Sequence, residues 1–165
     1  MKFLTWWREA HWLRHIVRTT LGAMASLAIA VLLSLPEAYW SAVTTLIVLQ
    51  SNLDSTLAIA AKRLVGTAMG VILAALLYIW FGPTTLVFGL GLVVGGLACI
   101  AVGHFFNKLS GFVDRTAYRY VGITLAVILL IPHTLGIWTV ALDRFIEVSI
   151  GIIVALAFTK LWPER

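Results

Sequence analysis

The stretch LVGTAMGVILAALLYIWF, residues 64–81, contains eighteen residues without a charge and directly follows Lys62 and Arg63. As a helix it would extend over about 27 Å, close to the ~30 Å hydrocarbon core of a bilayer. The whole chain has this character, since 61% of its 165 residues are hydrophobic and its mean hydropathy is +1.01. Only 12% are charged, against about 25% in soluble domains. We therefore expect one all-α integral membrane domain that covers residues 1–165.

Apolar runs of this kind recur along the chain between short clusters of charge. The second and fifth runs are short, so they would span only by tilting or thinning the bilayer, or would be broken or re-entrant segments. Residues 1–18 interleave tryptophan with basic residues, which indicates an interfacial segment on the cytoplasmic leaflet or a flanking polar tail. We expect six transmembrane helices after this segment, at 19–35, 39–53, 64–81, 85–106, 118–131 and 135–161.

The distribution of basic residues predicts the orientation. If the N-terminus is cytoplasmic, 11 of the 12 Lys and Arg residues fall in cytoplasmic segments, and Arg144 is the exception. This asymmetry follows the positive-inside rule. It predicts that both termini are cytoplasmic, and it explains the net charge of +5 better than nucleic acid binding does, because the cations form no continuous basic face.

The chain also carries an internal repeat. Residues 38–48 match residues 117–127 at five of eleven positions, and residues 62–72 then align with residues 143–153. The second alignment keeps an arginine and a glycine at equivalent positions. If the second and third apolar runs correspond to the fifth and sixth, the repeat unit has three helices.

An odd number of helices inserts the second copy upside down in the bilayer. We therefore predict a 3+3 inverted repeat, with the first copy at 19–84 and the second at 85–165. Arg144 is then the mirror partner of Arg63. Inverted repeats, with sites near the bilayer midplane, are a common plan of secondary transporters.

Three charged residues are candidates for a transport pathway. Arg144 and Glu147 lie three residues apart, on one face of the predicted sixth helix, and so are predicted to pair. Ionisable groups inside a span suggest function by default, although the pair would be structural if it lay at the outer interface. Arg63 would either face an anion or extend to the cytoplasmic headgroups.

Polar uncharged residues on the short second run extend this candidate set. Thr44, Thr45 and Gln50 place hydrogen-bonding groups there. Hydroxyl groups in spans often bond only the backbone of their own helix. Gln50 is the strongest of the three because its amide needs an external partner.

Small residues at helical spacing predict close helix packing. In lipid such residues let two backbones approach, since apolar burial does not drive association there. The stripes fit packing within the chain or between copies in a homo-oligomer. The predicted packing positions are Gly66, Gly70, Gly91, Gly95 and Gly151.

Two motifs carry a resemblance to a known family. The run YWSAVTTLIVLQ at 39–50, followed by KRLVGTAMG at 62–70, resembles the fusaric acid resistance/aromatic acid exporter (FUSC) family, as does the ending from Arg144 to Trp162. The resemblance implies a six-helix module, of a kind often duplicated and joined to cytoplasmic domains, that exports aromatic carboxylic acids and similar organic anions. The plant aluminium-activated malate transporters are relatives with basic residues along an anion path. By that resemblance Arg63 and Arg144 are candidates for anion attraction.

These observations favour a transporter module that moves small organic or aromatic anions across the bacterial inner membrane. The chain departs from the larger exporters in having one six-helix module, which implies that a homo-oligomer acts. A membrane scaffold that transports nothing and a passive anion channel are the alternatives. The sequence contains no nucleophile–base pair, no phosphate-binding glycine loop and no metal-ligand cluster, so we expect neither enzyme activity nor a cofactor.

Overall fold

The computed structural model describes residues 2–105, 115–132 and 136–162. Within these ranges the secondary structure is helical and no strand occurs, so the predicted all-α class is confirmed there. The helices are α1 (Lys2–Leu32), α2 (Tyr39–Val48), α3 (Leu53–Phe81), α4 (Thr85–Phe105), α5 (Arg115–Leu130) and α6 (Ile137–Leu161).

Two helices begin more than ten residues before the apolar runs that predicted them, and α5 begins three residues before its run. The first, α3, begins at Leu53, and the side chain of Asn52 caps it, because its Oδ1 accepts a hydrogen bond of 2.8 Å from the Ser55 N–H. The second, α1, begins at Lys2, so the predicted interfacial segment continues directly into the first apolar run. The placement of that segment on the cytoplasmic leaflet stays a prediction.

Three helices in the described residues are long and apolar enough to cross a membrane, namely Trp12–Leu32 within α1, Leu53–Phe81 and Thr85–Phe105. The sixth helix has 25 residues, but Asp143, Arg144, Glu147 and Lys160 interrupt its apolar character. The regular part of α2 has 10 residues, about 15 Å or half the hydrocarbon core. The count of six spans therefore stays a prediction.

Large apolar side chains are exposed on the helices that could span. On α4, for example, Leu86 is 82% exposed and Ile100 is 70% exposed. A soluble protein rarely leaves extended apolar surface in water. These side chains are the ones we expect to meet lipid.

The first of two compact units comprises Met1–Ala60 and Glu147–Arg165. It contains α1, α2 and most of α6, and α1 packs on α2 within it. Its buried apolar residues are Val48, Leu49, Ala60, Val148, Ile152 and Ala155.

The second compact unit comprises Ala61–Ile146. It contains α4, α5, most of α3 and the first part of α6, and α4 packs on α5 within it. Its buried apolar residues include Ala74, Val87, Cys99, Val121, Leu125 and Ile128.

Candidate functional site

Buried charge marks the candidate site. In the part of the chain that the structure describes, Arg18, Arg63, Arg144 and Glu147 are each at most 4% exposed. Charged side chains are almost never fully buried unless they are paired, and within a membrane they suggest function by default. The sequence singled out three of these residues as pathway candidates, but not Arg18.

Arg63 lies inside the second compact unit, on α3. It is 2% exposed and lies four residues before the middle of the helix at Thr67, about 6 Å along the axis. Its guanidinium carbon is 4.8 Å from the ring centroid of Tyr120 on α5, which is a cation–π contact. Arg63 is therefore directed into the unit, towards α5.

Arg144 and Thr67 extend the polar cluster around Arg63. Arg144 is 4% exposed and lies in the same compact unit as Arg63. Thr67 lies one turn after Arg63 on the same face of α3. It is 1% exposed, and its Oγ1 makes no hydrogen bond with any residue that the structure describes.

This cluster has the chemistry of an anion site. Guanidinium groups donate several hydrogen bonds in one plane and match a carboxylate. A buried hydroxyl group without a partner costs about 1–3 kcal/mol, so a bound anion that accepts from Thr67 would recover that cost.

Two predicted packing glycines hold α3 against α5 in this unit. A Cβ atom at Gly66 would lie 2.5 Å from the Ala117 carbonyl oxygen and 2.7 Å from the Tyr120 Cβ. A Cβ atom at Gly70 would lie 2.7 Å from the Thr124 Cβ. No larger residue fits at either position unless the helices separate.

Two more predicted packing glycines lie on α4, in the same unit. A Cβ atom at Gly91 would lie 2.9 Å from a terminal methyl group of Leu77, and one at Gly95 would lie 2.9 Å from a methyl group of Val121. These neighbours are side-chain methyl groups, which can move more easily than backbone. We therefore expect substitutions at Gly91 and Gly95 to be better tolerated than those at Gly66 and Gly70.

Glu147 belongs to the first compact unit. It is 1% exposed, and its Oε1 accepts a hydrogen bond of 3.1 Å from the backbone N–H of Glu37. The carboxylate therefore holds the connection between α1 and α2. The predicted pairing of Glu147 with Arg144, three residues earlier on the same helix, stays a prediction.

Thr44 and Thr45 lie where α2 packs on α6 in the first unit. Both are fully buried, and a Cβ atom at Gly151 would lie 2.6 Å from the Thr44 Cβ. The Thr45 hydroxyl donates towards the carbonyl oxygens of Ser41 and Gly151, at 3.0 and 3.1 Å. The structure thus places both threonines in a helix contact, and their role in a pathway stays a prediction.

Arg18 and Gln50 connect helix ends in the first unit. Arg18 Nη1 donates to the carbonyl oxygen of Trp162 at 2.9 Å, and Nη2 donates to that of Gln50 at 2.8 Å. The Gln50 side chain donates to Ile47 O at 3.3 Å, and the Gln50 N–H donates to Thr56 Oγ1 at 3.1 Å. One arginine on α1 therefore binds carbonyl groups just beyond the ends of α2 and α6, where helix acceptors need partners.

Sequence reasoning did not single out Arg18, Thr67 or Tyr120 as members of these clusters. Arg18 directly precedes an apolar run, and a basic residue at such a position is usually interpreted as a signal for the orientation of the helix in the membrane. Thr67 has a usable signal, because it follows Arg63 by one helical turn. Tyr120 has none, since its contact with Arg63 depends on how α5 packs on α3.

Comparison with known proteins shows which family of proteins the chain is similar to. The model of a family described as fusaric acid resistance protein-like matches residues 22–158. An uncharacterized transporter of Escherichia coli K12, YdhK, is 27% identical over 176 residues, which cover 99% of this chain and 25% of YdhK. The inner membrane protein YccS of the same strain is 28% identical over 158 residues, covering 94% of this chain and 20% of YccS.

A third relative, an uncharacterized protein of Haemophilus influenzae, is 30% identical over 159 residues, covering 94% of this chain and 21% of that protein. The chain thus spans about a quarter or less of the length of these relatives. No solved structure gives a significant match. Because the family match extends over most of its length and includes the buried residues Arg63 and Arg144, the chain belongs to the fusaric acid resistance protein-like family of membrane proteins.

Proposed function

We propose that the chain is a transport module for small organic anions, aromatic carboxylates among them, and that it exports them across the bacterial inner membrane. The observation that carries this proposal is the burial of Arg63 and Arg144 in one compact unit, on helices α3 and α6. The names of the relatives, a transporter and an inner membrane protein, support the activity and the location. Fusaric acid, in the family description, is itself an aromatic carboxylic acid.

The chemistry of the cluster explains how an anion would be accepted. An anion that leaves water loses its hydration shell, and buried donors must replace it. Arg63, Arg144 and Thr67 supply guanidinium and hydroxyl donors for this purpose.

The 3+3 inverted repeat, with six spans and both termini in the cytoplasm, is part of the proposal. The packing inside the two units supports it. In the first unit α6 meets α2 through Gly151 and Thr44, and in the second α3 meets α5 through Gly70 and Thr124. Gly70 and Gly151 are equivalent positions of the repeat, 81 residues apart, and Thr44 directly precedes Thr45, the residue that aligns with Thr124.

Each compact unit therefore combines the first two helices of one repeat with much of the third helix of the other. In the proposed repeat, each unit would thus contain helices of both copies, 19–84 and 85–165. We further propose that the module acts as a homo-oligomer, and crosslinking in native membranes tests that proposal.

Transport is tested by uptake of radiolabelled benzoate and succinate into proteoliposomes. We expect saturable uptake by the parent protein and its loss in Arg63→Gln and in Arg144→Gln. Arg119→Gln is the matched control, because Arg119 lies on α5 with its side chain exposed and its loss changes the net charge equally. Flux that is unaffected by both buried substitutions would contradict the proposed site.

The same assay separates the alternatives. A carrier is stimulated by unlabelled anion on the opposite side of the membrane, whereas a passive channel is not. A scaffold gives no flux with either anion at any imposed pH gradient or voltage.

Topology is tested with single cysteines in a Cys99→Ala background. Cysteines at Gly82 and Gly136 are expected to react with a membrane-impermeant maleimide from the periplasmic side. A cysteine at Asn52 is expected to react only after the membrane is opened. Labelling of Asn52→Cys in intact spheroplasts would contradict the proposed orientation.

A further inference from the structure

The ring of Tyr120 lies against the guanidinium of Arg63. The guanidinium carbon is 4.8 Å from the ring centroid. Both side chains are buried, Tyr120 being 7% and Arg63 2% exposed. Arg63 therefore has an aromatic neighbour in a region where a cation interacts more strongly with a ring than it does in water.

The local packing fixes the position of this ring. Gly66 lies one turn after Arg63 on α3 and leaves room for the Tyr120 Cβ, which would be 2.7 Å from a Cβ at Gly66. On the other side, the Thr124 hydroxyl donates a hydrogen bond of 2.9 Å to the carbonyl oxygen of Tyr120. The approach of α5 to α3 thus brings the ring to Arg63.

An aromatic ring holds a cation in a different way from a carboxylate. Its face attracts the guanidinium through the quadrupole and contributes no negative charge. The donors of a guanidinium point outward in its plane, so the contact of Tyr120 with its face uses none of them.

We propose that Tyr120 is a positioning residue that orients Arg63 as an anion-binding group and sets the affinity of the module for its anion. This inference rests on the proposed transport function. It assigns to Tyr120 an effect on anion affinity, through Arg63, and no direct bond to the anion.

The test is benzoate uptake into proteoliposomes over a range of benzoate concentrations, which gives KM and the maximal rate separately. We expect Tyr120→Leu to raise KM roughly tenfold, the loss expected from a buried cation–π contact, with the maximal rate retained. Tyr120→Phe keeps the ring face and is expected to stay within about twofold of the parent KM.

Tyr118→Leu is the matched control. Tyr118 lies two residues earlier on α5 and packs at Gly96, where a Cβ would be 3.4 Å from its ring. It loses the same atoms as Tyr120→Leu without changing the contact to Arg63. If Tyr118→Leu raised KM as much as Tyr120→Leu, general loosening of α5 would explain both and the inference would be overturned.

A double substitution tests whether Tyr120 acts through Arg63. Benzoate binding to the purified protein, measured by calorimetry, gives a dissociation constant even for variants whose flux is slow. We expect Tyr120→Leu to weaken binding in the parent and to have no further effect in an Arg63→Gln background. Equal effects in the two backgrounds would overturn the inference.

The two proposals fail in different ways. If the parent protein takes up benzoate saturably but Tyr120→Leu has the parent KM, only the positioning role of Tyr120 is overturned. If Tyr120→Phe is as defective as Tyr120→Leu, the ring face is not the relevant feature and the inference is again overturned. If the parent protein neither transports nor binds benzoate or succinate, the proposed function fails, and the inference fails with it.

Discussion

Gly151 lies directly against Thr44, because a Cβ atom at Gly151 would be 2.6 Å from the Thr44 Cβ and 2.5 Å from the carbonyl oxygen of Ser41. Real Cβ atoms do not approach other atoms this closely. Backbone contact of this kind gives membrane helices much of their mutual attraction, since burial from lipid gives none. Gly151 therefore allows the backbone of α6 to pack closely against α2.

Gly151→Ala is expected to destabilise the protein by about 1–3 kcal/mol, the usual cost of inserting atoms into a packed contact. The obstacle at this position includes backbone, which cannot move aside as a flexible side chain can. Unfolding in a detergent titration measures the change. Gly89→Ala is the control, because Gly89 is an exposed helical glycine with nothing within 4 Å of its Cβ position. Equal stability of the two variants would contradict the packing role of Gly151.

Arg18→Gln is expected to lower stability by about 2–5 kcal/mol, because two hydrogen bonds from a charged donor are lost and two carbonyl groups lose their partner. These are the carbonyl groups of Gln50 and Trp162. Arg14→Gln removes an exposed arginine one turn earlier on α1 and should change stability by less than about 0.5 kcal/mol. A thermal unfolding series in detergent compares them, and similar values for the two variants would refute the assigned contacts.

The helical class and the approximate positions of the helices follow from the sequence, because apolar runs between charge clusters leave few other solutions in a membrane protein. Their ends do not. The regular part of α2 stops at Val48, and Leu49 takes an extended backbone. The apolar run in the sequence continues to residue 53. The end of α2 therefore depends on hydrogen-bond partners that lie outside this run, such as Arg18 and Thr56.

Thr56→Val tests one of these partners. The Thr56 hydroxyl accepts the Gln50 N–H at 3.1 Å and lies 3.3 Å from the Thr159 hydroxyl. Since valine leaves the N–H of a non-helical residue without this acceptor, we expect a loss of about 1–3 kcal/mol. Thr159→Val should cost less, because that hydroxyl donates to the carbonyl oxygen of Ala155 in its own helix and the backbone stays paired. Denaturant titration of both variants checks the order, and the reverse order would contradict it.

Part of the candidate site can also be predicted from the sequence. Arg63, Arg144 and Glu147 stand out in the sequence because charge is costly inside an apolar segment. Tyr120 and Arg18 do not stand out, because a tyrosine on an amphipathic helix and an arginine before a span are both ordinary. The role of Tyr120 follows only from its contact with Arg63, and that of Arg18 only from its hydrogen bonds to carbonyl groups at helix ends.

Glu147 allows the structural and the transport roles of one side chain to be separated. Its Oε1 accepts the Glu37 N–H, and a glutamine at 147 would keep that acceptor while removing the charge. Glu147→Gln is therefore expected to unfold at a higher denaturant concentration than Glu147→Ala. Glu147→Ala removes the acceptor and should lose about 1–3 kcal/mol. If the charge takes part in the pathway, as the sequence predicts, Glu147→Gln will also take up benzoate more slowly than the parent. Parent-like uptake by this stable variant would instead limit Glu147 to holding the connection between α1 and α2.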